Sequence, residues 1–182
     1  MKPVKVGLLG MGTVGPGVLR IVEGHQDDLQ KQVGSPIQIE KVLVRDMNKT
    51  RRYRIQPEKL TVNAEDIIHN PEIDIVVEVM GGIEPARTYM LAALERGKHI
   101  VTANKDLMAL HGSEILNKAA EKNCDVFYEA SVAGGIPIIR TLIDGFSSDR
   151  ITKIMGIVNG TTNFILTKMS QEGASYEDVL KE

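Results

Sequence analysis

The stretch VKVGLLGMGTVGPGVLRIVEG, residues 4–24, decides the fold. Its first part, Val4 to Gly10, is short, apolar and ended by glycine, the pattern of a buried strand. Its last part, Thr13 to about Glu23, has helical spacing, with Gly24 as a stop signal. Between them stands Gly10-Met11-Gly12-Thr13-Val14-Gly15, a GxGxxG. Alone that string is a weak signal. After a strand and at the opening of a helix it reads as a dinucleotide-binding turn. The first glycine permits the tight turn, the second lets the backbone approach a pyrophosphate, and the third lets helix and strand pack closely. Backbone N–H groups at the helix start then face the phosphates. The bland alternative is a plain tight turn.

Outward from this unit, strands and helices alternate. Ile37–Val44, Ile73–Val79, Lys98–Thr102, Asp125–Glu129 and Ile151–Val158 read as strands. Helices are expected from Asn63 as cap through Ile68, over Pro85–Arg96, over Asn104–Lys122 with a break at Gly112, from Pro137 to Gly145, and over Thr162–Met169. Polar residues 25–35 read as an extension or loop, and residues 46–60 carry no assignable pattern. Apolar strands joined by helical crossovers imply an α/β fold: a Rossmann-type, doubly wound, mainly parallel sheet covered on both faces. A boundary falls near Ser147-Ser148-Asp149, dividing residues 1–148 from a new unit over 149–182. In the closing SYEDVLKE, Ser175 and Asp178 have the spacing of a helix N-terminus. A helix of about two turns is marginal alone, so the sequence reads as the first part of a larger protein.

Composition removes several functions. The 182 residues are 42% hydrophobic with a net charge of −2, which favours neither nucleic acid nor an anionic membrane as partner. The cluster Arg51-Arg52-Tyr53-Arg54 is too short for a polybasic tail and reads as a solvated loop. The single cysteine, Cys124, excludes an intrachain disulfide and a multi-cysteine metal site. His25, His69, His99 and His111 show no ligand spacing. No signal-peptide core and no stretch of membrane-spanning length is present, so a soluble, cytoplasmic protein is expected.

Chemistry-bearing residues collect at the ends of the expected strands. After the second comes Val44-Arg45-Asp46. Arg45 can pair with the 2′-phosphate of NADP, while Asp46 can still reach a ribose, so NADP is expected with NAD also accepted. Gly81-Gly82 closes the third strand. Ala103-Asn104-Lys105 follows the fourth, and in a doubly wound sheet both turns lie at the carboxyl edge, where ligands bind. A lysine beside a nicotinamide can hold a substrate oxygen or move a proton. EASVAGGIP, residues 129–137, presents glycines and small residues whose carbonyls can ligate a hard cation; read from the residues alone, a tight strand-to-helix turn fits it better. Asn159-Gly160-Thr161-Thr162-Asn163 fits a carboxylate site and a helix cap equally.

Taken in order, GLLGMGTVGPGV, VTANKDLMA, YEASVAGGIPII and GIVNGTTNFIL resemble homoserine dehydrogenase, and together they run along nearly the whole chain. The last two are specific to that family; the first is shared by many dehydrogenases. The resemblance implies NAD(P)-dependent interconversion of L-homoserine and L-aspartate 4-semialdehyde, a step toward threonine, methionine and isoleucine. It implies nucleotide contacts from Gly10, Gly12, Thr13, Val14 and Gly15, with Arg45 near the 2′-phosphate and Lys105 at the nicotinamide and substrate. It implies a sodium site on the carbonyls of Glu129, Val132, Gly134 and Ile136, a homodimer, and residues 149–182 as the start of an α+β catalytic and dimerisation domain. The family's substrate-binding acids and second catalytic lysine fall past residue 182. Two rivals remain: another Rossmann oxidoreductase, whose sugar-oxidising group resembles Glu-Lys-Pro where this chain has Asn104-Lys105-Asp106, and a nucleotide-binding fragment without turnover.

Overall fold

The computed structural model describes residues 2–51 and 53–182. Met1, and Arg52 of the basic cluster, lie outside the described residues. The chain divides into two compact units, Met1–Ile139 and Arg140–Glu182.

The first unit holds six strands: β1 (Val4–Leu9), β2 (Ile37–Leu43), β3 (Leu60–Thr61), β4 (Ile75–Glu78), β5 (His99–Thr102) and β6 (Val126–Phe127). Every pairing is parallel and the spatial order is β3-β2-β1-β4-β5-β6. Strand order therefore reverses between β1 and β4, and the crevice outside their carboxyl ends is where such sheets take ligands. The helices are α1 (Gly15–Gly24), α2 (Gln26–Val33), α3 (Glu65–Ile68), α4 (Ala86–Glu95) and α5 (Lys105–Glu121), with α6 (Ile138–Arg140) at the division between units.

Period-two alternation along β1 feeds two cores. Val6 and Leu8 join Leu19 of α1 with Ile39 and Val42 on one face. Leu9 joins Ile67, Met90, Leu94, Ile100, Leu107 and Ile115 on the other. Removing each such side chain from water contributes about 1.5–3 kcal/mol, so both faces bind their helices firmly. Lys98 is only 4% exposed. Its Nζ donates to the carbonyls of Asn70 at 2.6 Å and Ile73 at 2.7 Å, tying the start of β5 to the loop before β4. Burial pushes this ammonium below the usual lysine range.

Several expectations need correction. Residues 26–33 form α2, not a loop. None of its residues is buried, so it carries no apolar stripe; its support is Asp27 and Asp28 in the first turn, Lys31 in the last, and Gly34 as a left-handed stop at φ 81. Gln26 stitches it in place, donating from Nε2 to the carbonyls of Val22 and Ile37. The unassigned 46–60 region ends in β3, a two-residue edge strand too short to leave a periodic signal. The helix over Asn104–Lys122 runs through Gly112 unbroken because that glycine is a buried packing position. The fifth strand shrinks to Val126–Phe127 and gives way to a 3₁₀ turn at Glu129–Ser131. The helix expected to Gly145 is α-helical only to Arg140 and continues as a π turn over Thr141–Gly145.

The second unit holds α7 (Gly160–Glu172) and α8 (Tyr176–Lys181). Ser175 caps α8 as its spacing indicated, the hydroxyl accepting from the Asp178 N–H at 3.2 Å. Lys168 of α7 donates to the Glu182 carboxylate at 2.6 Å. The strand expected at Ile151–Val158 is not formed. Among the described residues this unit offers no second strand, and a lone strand leaves both its rows of N–H and C=O groups unpaired. Its apolar side chains face outward, with Ile157 80% and Val158 94% exposed.

Candidate functional site

The GxGxxG turn sits at the carboxyl end of β1, and its three glycines have different duties. Gly10 has φ 107, and a Cβ there would lie 2.9 Å from the Val79 carbonyl oxygen. Gly15 is buried at the first position of α1, with no room for a Cβ beside the Gly10 carbonyl. Gly12 is exposed, and a Cβ on it would meet nothing within 4 Å. The fold thus requires the outer glycines and leaves the middle one unexplained. Thr13 and Val14 are exposed on the same turn. The Val14 carbonyl accepts from the Gly17 N–H at 2.9 Å and the Val18 N–H at 3.3 Å. The amides of Gly12, Thr13 and Val14 donate to no group among the described residues. They form a row of donors at the positive end of a helix.

Arg45 follows Val44 just past β2, exposed, with no hydrogen bond or ion pair among the described residues. Beyond it the chain turns sharply. Asp46 Oδ1 accepts from the Asn48 N–H at 2.8 Å. Arg51 closes the loop, donating to the carbonyls of Met47 at 3.1 Å, Lys49 at 2.9 Å, and Asp46. One Asp46 oxygen is thus committed to shaping the turn, while the Arg45 guanidinium remains available.

Lys105 is the first residue of α5, at the carboxyl end of β5. It is exposed and makes no ion pair among the described residues. A cation at a helix N-terminus is opposed by the helix dipole, by about 0.3–1 kcal/mol, so stability gives no reason for lysine here. The backbone around it is firmly held. Asn104 caps α5, accepting from the Leu107 N–H at 3.2 Å, and donates from Nδ2 to the Gly82 carbonyl at 2.6 Å. Thr102 accepts from the Asn104 N–H at 3.0 Å and donates to Glu78 at 2.7 Å. The other Glu78 oxygen accepts from the Met80 N–H at 2.8 Å. Sequence reasoning missed Glu78 and Thr102. The signal was a carboxylate inside the apolar run IVVE, where a buried position tolerates it only with partners.

The EASVAGGIP loop brings Glu129, Val132, Gly134 and Ile136 onto one turn. Val132 donates its N–H to the Glu129 carbonyl at 3.1 Å, and the Glu129 carboxylate accepts from the Ile139 N–H at 2.9 Å. Ala133 and Gly134 both adopt left-handed backbone, at φ 55 and 61. No cluster of three or more His, Cys, Asp or Glu suited to a metal ion occurs among the described residues. At Asn159 the cap is formed: its Oδ1 accepts from the Thr162 N–H at 2.8 Å. A concavity of about 500 Å³ lies elsewhere, lined by Leu19, Glu23, Ile39, Arg54 and Lys59, and holds none of these residues.

Two family models match the chain: the NAD-binding domain of homoserine dehydrogenase over residues 10–129, and the homoserine dehydrogenase model over residues 137–182. The chain belongs to the homoserine dehydrogenase family. The homoserine dehydrogenase of Bacillus subtilis is 59% identical over 182 residues, all of this chain and 42% of the relative. That of Pseudomonas aeruginosa is 45% identical over the same span. The crystal structure of a homoserine dehydrogenase from Thiobacillus denitrificans superposes with a TM-score of 0.86 at 44% identity, over 99% of this chain and 42% of that one. A hyperthermophilic archaeal homoserine dehydrogenase in complex with NADPH matches at TM-score 0.81 and 26% identity, over 98% of this chain and 60% of that one. The chain thus spans about two fifths of the length of these bacterial relatives. Among the described residues no helix is long and apolar enough to cross a membrane.

Proposed function

We propose that this chain supplies the nicotinamide-dinucleotide half of a cytoplasmic, homodimeric homoserine dehydrogenase, and that NADP(H) is the preferred cofactor. The observation that carries the reading is Gly12: the one glycine of the turn that the fold does not need, beside three unpartnered amides at a helix start. A pyrophosphate fits that place, because it requires both close backbone approach and donors. Arg45 is the natural partner for a 2′-phosphate, since its guanidinium is uncommitted and Asp46 is engaged in its own turn. The domain reading keeps residues 1–148 for the cofactor and 149–182 for the start of the catalytic domain.

The glycine turn and Arg45 would hold the dinucleotide, which would supply hydride transfer between its nicotinamide and the carbon bearing the substrate oxygen. The protein's part is electrostatic. In the reducing direction Lys105, at the carboxyl edge of β5, donates to the aldehyde oxygen and stabilises the negative charge that would develop there as hydride reaches the carbonyl carbon. The Gly81–Gly82 turn beside it is exposed, and a Cβ on either glycine would meet nothing within 4 Å. The loop at Glu129 has the donor set for sodium: neutral, hard carbonyl oxygens from Glu129, Val132, Gly134 and Ile136.

The test is calorimetry of NADPH with the 182-residue chain and with Gly12→Val. Binding to the first and loss in the second is expected; equal affinity would overturn the reading. Turnover of homoserine by the 182 residues alone is expected to be negligible beside a chain of the relatives' full length.

A further inference from the structure

Glu78 is fully buried, and among the described residues no cation pairs with its carboxylate. Burying an ionisable group costs several kcal/mol unless its partners compensate. A leucine at the end of β4 would pack at less cost, so the carboxylate is there for its geometry. That geometry is a hydrogen-bond network in which donors reach the Glu78 carboxylate from two sides. The Leu107 and Asn104 N–H groups anchor the start of α5 to Asn104 Oδ1 and the Thr102 hydroxyl. The Thr102 proton is thereby aimed at Glu78 Oε2, and Oε1 holds the Met80 N–H. Asn104 Nδ2 closes the circuit on the Gly82 carbonyl. The circuit joins three segments: the glycine turn after β4, the end of β5, and the first turn of α5. Lys105 lies between two of its members and is not one of them.

We propose that Glu78 and Thr102 are positioning residues for Lys105, fixing the first turn of α5 against the Gly81–Gly82 turn so that the lysine is presented to the crevice. The inference rests on the role assigned to Lys105 above. It explains why an unpartnered cation at an unfavourable helix end is backed by five hydrogen bonds with four wholly or largely buried donors or acceptors. A group that must act on a reacting atom needs its backbone held, because a displacement near 1 Å costs about a hundredfold in rate.

The experiment is a double-mutant cycle in a chain of the relatives' full length. Thr102→Val keeps the shape and removes the hydroxyl. It should lower kcat by about tenfold or more while NADPH affinity changes by less than about threefold, and Thr102→Ser should restore kcat. In a Lys105→Ala background Thr102→Val should have no further effect on kcat. Amide exchange at Asn104 and Leu107 should quicken in Thr102→Val and return in Thr102→Ser, a readout independent of turnover. If Thr102→Val does not fold, Glu78→Gln, which preserves volume, takes its place with the same expectations. Equal losses of kcat in both backgrounds would show a general structural effect and overturn the proposal, as would full activity of Thr102→Val beside an inactive Lys105→Ala. Near-parent turnover by Lys105→Ala alone would instead overturn the site reading on which the proposal stands.

Discussion

Gly10 stands so near Val79 that a Cβ on it would come 2.9 Å from the Val79 carbonyl oxygen. The turn after β1 and the turn after β4 are in van der Waals contact at the point where the sheet reverses. Gly10→Ala should therefore destabilise the fold by about 1–3 kcal/mol, through both the close approach and the left-handed φ. Gly12→Val should leave the melting temperature within a degree or two yet abolish NADPH binding. Thermal melts beside calorimetry separate the two, and a large loss of stability in Gly12→Val would return that glycine to a structural role.

Arg45→Ala removes one charge-assisted pair to phosphate, worth roughly 1.5–3 kcal/mol. NADPH affinity should fall by about tenfold or more and NADH affinity should barely change. Equal losses for the two cofactors would show that Arg45 does not read the 2′-phosphate.

Lys105→Ala is expected to uncouple stability from activity. It relieves a cation at the positive end of α5, so unfolding free energy should stay constant or rise by up to about 1 kcal/mol. In a chain of the relatives' full length kcat should fall about a hundredfold or more. Chemical denaturation and steady-state kinetics on one preparation check both halves.

Lys98→Met should cost about 2 kcal/mol or more, because the Asn70 and Ile73 carbonyls lose their donor. Burial holds the folded pKa below the ordinary lysine value of about 10.5. The cost of burying this charge is therefore present below the folded pKa and relieved as pH rises toward 10.5. The parent's stability advantage over Lys98→Met should grow with pH in that window, as measured by urea unfolding.

On the acid side the relevant groups are Glu84, beside the glycine turn, and Glu114 of α5. Arg87 donates to Glu114 at 2.7 Å and to Glu84 at 3.2 Å. Hydrogen bonding from Arg87 holds the Glu114 carboxyl below its ordinary value; for Glu84 the Thr88 hydroxyl is the larger cause. Both folded values are depressed, so their stabilisation is present above about pH 4.5 and is lost as pH falls through the folded values. Arg87→Leu should flatten the fall of melting temperature below that pH.

The sheet was legible because its strands are covered on both faces and so read as short, mainly apolar runs with glycine or asparagine stops, as IVVE and HIVT show despite Glu78, His99 and Thr102. Gly12, Arg45 and Lys105 stand out in the sequence for a different reason: each is a residue type that its local structure does not need. What escaped was structure set by contacts distant in sequence. α2 has no apolar face to register, and Glu78 and Thr102 acquire meaning only when β4 and β5 stand side by side. Ile151–Val158 has strand composition, but composition cannot supply a neighbour.

That last segment bears on how the 182-residue chain behaves in a test tube. Ile154, Met155, Ile157 and Val158 form an uncharged, β-prone run open to solvent. Such a run recruits its own copies edge to edge. Solubility, rather than unfolding, will then set the working concentration: light scattering should climb with protein concentration well below the melting transition. A lysine at Ile157 should act as a gatekeeper and suppress the scattering without moving the melt.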